Sequence, residues 1–267
     1  MLNFKEFQQY VKDHIREALP EELKNASIDL NKVHKNNGRE LTAIMVRAEG
    51  KSVAPTVYLD GFFKTYQDGA DLDYIIKDIA ATSAKHQGAE FANIEHDYMN
   101  FEFVKDKIVM SLVNAKKNEK ILVDTPHVIK EDLAVIYKVV LGIDEQEGMA
   151  TITVKQAHLD AWGTTVEDLH SLAIENSNRI LPATVRTMND VLLDMMMMDG
   201  MPEEIAEMMA QDMPVDEQMY VISNVHGING AASIVYSDAL QQLSEKLGTD
   251  LFVLPSSIHE CATRFAA

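Results

Sequence analysis

The residues with the most chemical potential lie near the end of the chain, in Ser256-Ser257-Ile258-His259-Glu260. Two hydroxyls, an imidazole and a carboxylate follow a short apolar run, Leu251–Leu254. A serine nucleophile with His259 as general base would make this segment a hydrolase site. Two features count against that reading. A nucleophile elbow needs glycines beside the serine, and Pro255 and Ile258 stand there instead. If a helix opens after Pro255, serine caps it, and Glu260 at the third position after Ser257 completes a capping box. The sequence therefore predicts a structural cap, with Ser256, Ser257, His259, Glu260 and His226 as the only catalytic candidates. His226 and Asn224 lie in Asn224–Gly230, and this loop would reach His259 by folding over the helix end. His226, His259 and Glu260 have no metal-ligand spacing, so no metal is expected. No glycine-rich phosphate cradle occurs, so no cofactor is expected either.

The elements that would position these residues run from Met219 to the end. Tyr220–Ser223 and Ala231–Tyr236 are β-prone runs around a loop rich in Asn and Gly, the pattern of a hairpin. Ser237-Asp238 caps a helix with Ala239, Leu240, Leu243 and Leu247 on one stripe, and Gly248 ends it. Leu251–Leu254 follows as a strand, and a final helix closes a β-β-α-β-α unit.

Upstream, Phe4, Phe7, Val11, Ile15 and Leu19 recur at helical spacing and stop at Pro20. Ser27–His34 and Glu40–Arg47 flank Asn37-Gly38, a hairpin signature. Thr56–Leu59 reads as a strand, Asp60–Tyr66 as a short helix, and Asp71 as the cap of a helix ending near His86. Phe101–Lys107 reads as helical, while Ile108–Val113 fits neither the helical nor the strand period. Lys116–Lys120 reads as a solvated turn and Pro126-His127 as a loop. Asp132–Leu141 and Met149–Val154 form a second hairpin. Gln156–Trp162, a break at Gly163 and a helix capped by Thr164-Thr165 come next, then a connector, Asn176–Thr184. Strand, short helix, glycine and capped helix thus occur twice, and the C-terminal segment reads as a third, shortened copy. The remaining histidines (His14, His34, His86, His96, His127, His158 and His170) are scattered and read as surface or structural. Trp162 reads as a core anchor.

Val185–Met198 and Glu203–Met213 read as two helices, and the stretch Met188–Met213 holds nine of the fifteen methionines. Flexible, polarisable methionine suits a surface that accommodates partners, but at helical spacing it is more often core filler. The filler reading, a helical pair lying over the sheet, is the one favoured here.

With 24 Lys+Arg against 42 Asp+Glu, the formal charge is −18. Such a surface repels nucleic-acid backbones and anionic lipid, so neither direct partner is expected. It leaves room for an acidic mimic of nucleic acid that occupies a basic partner. The single cysteine, Cys261, excludes an internal disulfide and fits a reducing cytoplasm. No signal-peptide core or membrane-length apolar run occurs.

Four stretches, YVISN with NGAASIVY and LFVLPSSIHE, ATITVKQAHLDAWGTTVEDL, NRILPATV and APTVYLDGFFKTYQDG, resemble a family of uncharacterised proteins from clostridial gut bacteria. The chain is also distantly similar to a Bacillus family of unknown function. The resemblance implies a cytoplasmic bacterial protein with LPSSIHE as a family signature, and it implies no substrate, cofactor or catalytic residue.

The expected fold is α+β, built from repeated β-hairpin-plus-helix units whose mixed or antiparallel sheets are covered by helices. The expected divisions are 1–90, 91–180, a Met-rich helical pair at 181–214, and 215–267, the last either separate or one continuous domain with 91–180. The leading functional expectation is a non-catalytic protein-binding or regulatory module acting through the Met-rich helices and the loop around His226. A small hydrolase or metal-assisted enzyme and the acidic mimic are the alternatives. The oligomeric state is left open.

Overall fold

The first helix, α1 (Phe4–Ala18), starts where Asn3 accepts the Glu6 amide and the Glu6 carboxylate returns to the Asn3 amide. In the computed structural model, which describes residues 1–34, 36–38, 40–51, 54–85, 98–144, 148–210 and 219–265, the chain divides into two compact units, Met1–Asn100 and Phe101–Ala267.

In the first unit the hairpin signalled by Asn37-Gly38 is present. Strand β1 (Ser27–His34) pairs antiparallel with β2 (Glu40–Arg47), from Ser27 opposite Arg47 to His34 opposite Glu40. Strand β3 (Thr56–Tyr58) joins the other edge of β2. Helix α2 (Leu59–Gln67) ends before Gly69, whose φ of +102° only glycine adopts easily. Helix α3 (Leu72–Lys85) then starts at Asp71, which accepts the Asp73 amide at 2.8 Å. The helices bury Phe7, Val11, Ile15, Ile75, Ile76 and Ile79 against Ile44, Val46 and Val57 of the sheet. Phe7 also lies against Phe63 and Tyr66, with ring centres 5.3 and 5.7 Å apart.

The second unit opens with α4 (Phe101–Val104) and a 3-10 turn, then β4 (Ile108–Asn114). Six consecutive residues of β4 are buried, which explains why its sequence shows neither period: both faces are covered. The Lys116–Asn118 turn and α5 (Glu119–Leu122) lead to β5 (His127–Lys130), which begins inside the loop expected at Pro126-His127. Strand β6 (Leu133–Asp144) is the hub of this sheet and pairs antiparallel with β4, β5 and β7 (Gly148–Thr153). Helix α6 (Gln156–Trp162) ends at Gly163 with φ +63°, and α7 (Val166–Ile180) starts at Thr165, which accepts the Asp168 amide. The strand, short-helix, glycine, long-helix succession therefore occurs in both units, after three strands in the first and four in the second. Helix α7 runs through most of the expected connector because Asn176 and Ser177 are tied to β4 and the turn before it. Ser177 Oγ accepts the Met110 amide at 2.9 Å, and Asn176 Nδ2 donates to Lys105 O at 2.7 Å. The Tyr137 hydroxyl of β6 and His170 Nδ1 of α7 share a hydrogen bond of 2.8 Å. Burial pushes the tyrosine above its ordinary range and pushes the imidazole down, so both groups favour their neutral forms.

A third sheet holds β8 (Ala183–Thr187), β9 (Tyr220–Asn224), β10 (Leu251–Pro255) and β11 (Cys261–Phe265), in the order β10-β11-β9-β8, all antiparallel. Here four expectations are corrected. Val185–Thr187 belongs to β8, not to the following helix, because it pairs with β9. Ala231–Tyr236 is not a strand: Gly230–Ala232 is a 3-10 turn and Ser233–Tyr236 is α10. Both edges of β9 are already taken, by β8 and β11, so no place beside it remains. No third copy of the repeat forms there. The segment after Pro255 is not a helix either. It turns back, and Cys261, Ala262 and Thr263 become a buried central strand. Helix α11 (Ala239–Leu247) covers one face of this sheet, packing Ala239 and Leu243 on Ile222. The described residues thus form an α+β protein with three antiparallel sheets.

Candidate functional site

Because β10 and β11 form a hairpin, Ser256–Glu260 is its exposed turn, and the predicted capping box is absent. The serines still satisfy backbone groups, now inside a turn. Ser257 Oγ accepts the His259 amide at 2.9 Å, Ser257 N–H donates to Glu260 O at 3.3 Å, and Ser256 Oγ donates to Glu260 O at 3.2 Å. The His259 ring turns away from both hydroxyls. Its Nδ1 accepts the Asn229 amide at 3.3 Å, so the ring's other nitrogen carries the proton of the neutral form. The geometry makes no serine–imidazole pair.

The 224–230 loop meets His259 against a hairpin turn, not over a helix end, and through Asn229, not His226. His226 is exposed, and its amide donates to Asn224 Oδ1 at 3.0 Å. Two further links lace loop to turn: Ala231 N–H donates to Ile258 O at 3.2 Å, and Ser223 Oγ donates to His259 O at 2.8 Å. Between them Gly230 lies so close that a Cβ there would strike Ser223 Oγ and the His259 carbonyl. On the other side Asn229, buried and at φ +54°, reaches the neighbouring sheet. Its Oδ1 accepts from Ser111 Oγ of β4 at 3.2 Å and from Lys138 Nζ of β6 at 3.1 Å. Asn229, Gly230, Ser111 and Lys138 were not singled out from the sequence. The partners lie 118 and 91 residues from Asn229, beyond any local pattern; only the Asn-Gly dipeptide gave a signal, as a turn.

Among the described residues no three His, Cys, Asp or Glu side chains come within reach of one metal ion. His86 and His96 lie outside the described residues; His14, His127 and His158 bond to nearby backbone. Trp162 stacks on His158, with ring centres 5.5 Å apart, and tilts against Phe101. Cys261 is fully buried in β11, and burial, aided by the Glu260 carboxylate, pushes its thiol up to about 11. We expect Ellman's reagent to leave Cys261 unmodified in the folded protein and to label one thiol per chain in urea. Rapid labelling without denaturant would show that β11 opens.

The Met-rich segment forms a second candidate surface. Helix α8 (Met188–Met198) is capped by Thr187, which accepts the Asp190 amide at 3.1 Å and donates its hydroxyl to the Asp190 carboxylate at 2.6 Å. That hydroxyl holds the Asp190 carboxyl below its ordinary range. Arg186 of β8 anchors the helix through Asp194 at 2.7 Å and the Asp190 carbonyl at 3.0 Å. Arg186 stands in register with Val221, Ala262 and Leu254, so α8 sits on the face of the third sheet opposite α11. A turn at Gly200, φ +87°, leads into α9 (Glu203–Ala210). The core-filler reading of the methionines is corrected here. No residue of α8 is buried, and Met195, Met197, Met198, Met208 and Met209 are exposed, Met198 by 88%. In α9 Ala206 is buried, and Ile205, Met208 and Met209 lie on an outer stripe.

Fold and surfaces together define an α+β protein whose polar loop cluster is tied up internally and whose exposed methionines and Ile205 cluster on one helical pair, while Tyr74, Val123, Ile129 and Phe252 are exposed elsewhere. Residues 4–263 match a family of unknown function, DUF5688, and the chain belongs to that family. It matches no curated protein and no solved structure. Among the described residues no helix is long and apolar enough to cross a membrane.

Proposed function

We propose that the protein is a non-catalytic binding module of the bacterial cytoplasm, with the α8–α9 pair as its contact surface. One observation carries this reading: five methionines and Ile205 face outward on two adjoining helices instead of filling the core. Clustered exposed apolar groups on an otherwise well-packed protein mark interaction sites, and methionine adapts to a partner's shape. The hydroxyls of Ser256 and Ser257 support it from the other side, being engaged with backbone atoms of their own turn. The lone cysteine, free and buried, suits a reducing compartment.

The test is a peroxide footprint of the full chain, free and in complex with whatever it captures from a bacterial lysate. Met195, Met197, Met198, Met208 and Met209 should oxidise readily when free and resist when bound. Equal oxidation in both states would remove the proposal.

A further inference from the structure

Building on the binding-module reading, we propose that the α8–α9 pair receives a basic amphipathic helix of its protein partner. Residues 188–210 contain six acids, Asp190, Asp194, Asp199, Glu203, Glu204 and Glu207, and no Lys, Arg or His. Two of the acids are occupied: Asp190 in the Thr187 cap and Asp194 with Arg186. Asp199, Glu203, Glu204 and Glu207 are exposed, and among the described residues no cation pairs with them.

These acids are interleaved with the apolar groups. Ile205, Met208 and Met209 recur at i, i+3 and i+4 beside Glu204 and Glu207, and Met195 and Met198 are three apart beside Asp194 and Asp199. A surface of apolar stripes edged with carboxylates fits a ligand whose own apolar stripe is edged with Lys or Arg, as a helix laid in a groove presents. The same charge disfavours other occupants. A second copy would bring identical acids against these, and an anionic lipid surface or a nucleic acid would be repelled. The net charge of −18 steers a cationic segment toward the protein from a distance.

The probes are three 18-residue peptides: Leu and Lys at helical amphipathic spacing, the same composition scrambled, and Leu with Glu at the amphipathic spacing. Each is titrated calorimetrically into the full chain. The Leu–Lys helix should bind, more weakly as salt rises, and the other two at least about tenfold less tightly. The triple variant Glu203→Lys, Glu204→Lys, Glu207→Lys should weaken it about tenfold or more, and so should Met195→Ser with Met208→Ser. A control reversal of Glu17, Glu21 and Glu22 to Lys, exposed acids of the first unit, should change affinity less than about twofold. Equal losses from the two charge reversals would reduce the effect to bulk charge and overturn the inference. So would equal binding of the scrambled or Leu–Glu peptide, or no binding of the Leu–Lys helix. Methionine protection by a lysate partner whose capture survives the Glu203, Glu204 and Glu207 reversal would leave the binding module standing and remove only the basic helix.

Discussion

Replacing Gly230 with alanine should unfold the Phe101–Ala267 unit at a markedly lower urea concentration. The new methyl would overlap Ser223 Oγ and the His259 carbonyl oxygen and lie 2.8 Å from the Asn224 amide nitrogen. Only the first of these atoms sits on a side chain that can rotate away. Asn224 is held at the end of β9, in register with Ala183 of β8, and the His259 carbonyl receives the Ser223 hydroxyl. Relief therefore requires the β10–β11 turn to move off the 224–232 loop. That movement stretches the bond from Ala231 N–H to Ile258 O and the one from Asn229 N–H to His259 Nδ1. Overpacking of a tight site costs about 1–3 kcal/mol, and contacts to fixed backbone put this one at about 3 kcal/mol. With a urea slope of about 2 kcal/mol/M the midpoint falls by about 1.5 M. Trp162, the single tryptophan, lies in this unit and reports its unfolding by fluorescence. Gly61→Ala is the contrast: no atom lies within 4 Å of its would-be Cβ, and it sits inside α2. It should stabilise the first unit by about 0.5–1 kcal/mol, read by circular dichroism. A midpoint for Gly230→Ala within about 0.2 M of the parent would show that the loop and turn are not locked together.

The same lock explains what could be read from the chain and what could not. Elements whose partners lie nearby were legible. The α1 stripe, the Asn37-Gly38 hairpin, the β6–β7 pair and the helices broken at Gly69 and Gly163 each carry their own periodicity and stop signal. Ile108–Val113 was ambiguous because a strand buried on both faces has no polar side to mark its period. Ala231–Tyr236 and Cys261–Phe265 were misread for a different reason. Their β-prone or cap-like composition is local, whereas the edges open to them are decided by β8 (Ala183–Thr187), which lies far back in the chain. Once β8 and β11 flank β9, the 231–236 run must coil, and its small Ala231 and Ala232 let it bury under the turn. The candidate site shares that limit. The sequence offers contact of the 224–230 loop with His259 only on condition of a helix that does not form, and the contact residue, Asn229, is selected by a sheet that the loop meets only in three dimensions. For the methionines, helical spacing is legible and the side that faces solvent is not, since apart from Asn189, Asp190 and Asp194 the residues of α8 are all apolar.

Asn229 gives the second large effect. Asn229→Ala should lower the stability of the same unit by about 3 kcal/mol, from two sources. Loss of the amide oxygen strands the Ser111 hydroxyl, which is fully buried, and deprives Lys138 of an acceptor; a buried polar group left unpaired costs about 1–3 kcal/mol. Alanine at φ +54° adds about 1 kcal/mol, a backbone conformation that asparagine tolerates better. Two further variants separate these sources. Asn229→Gly removes the backbone strain and keeps the unpaired hydroxyl, so it should fall between the parent and alanine. Asn229→Asp keeps an acceptor for both partners and gives Lys138 an opposite charge, so it should cost least of the three. Adding Ser111→Ala to Asn229→Ala should recover part of the loss, because the hydroxyl with no acceptor is then gone. Urea titration followed by Trp162 fluorescence ranks the series. An alanine variant as stable as the aspartate one would mean that the tie from this loop to β4 and β6 contributes nothing. The contact between His259 and the Asn229 amide would then hold the loop against its turn without help from the sheet beneath.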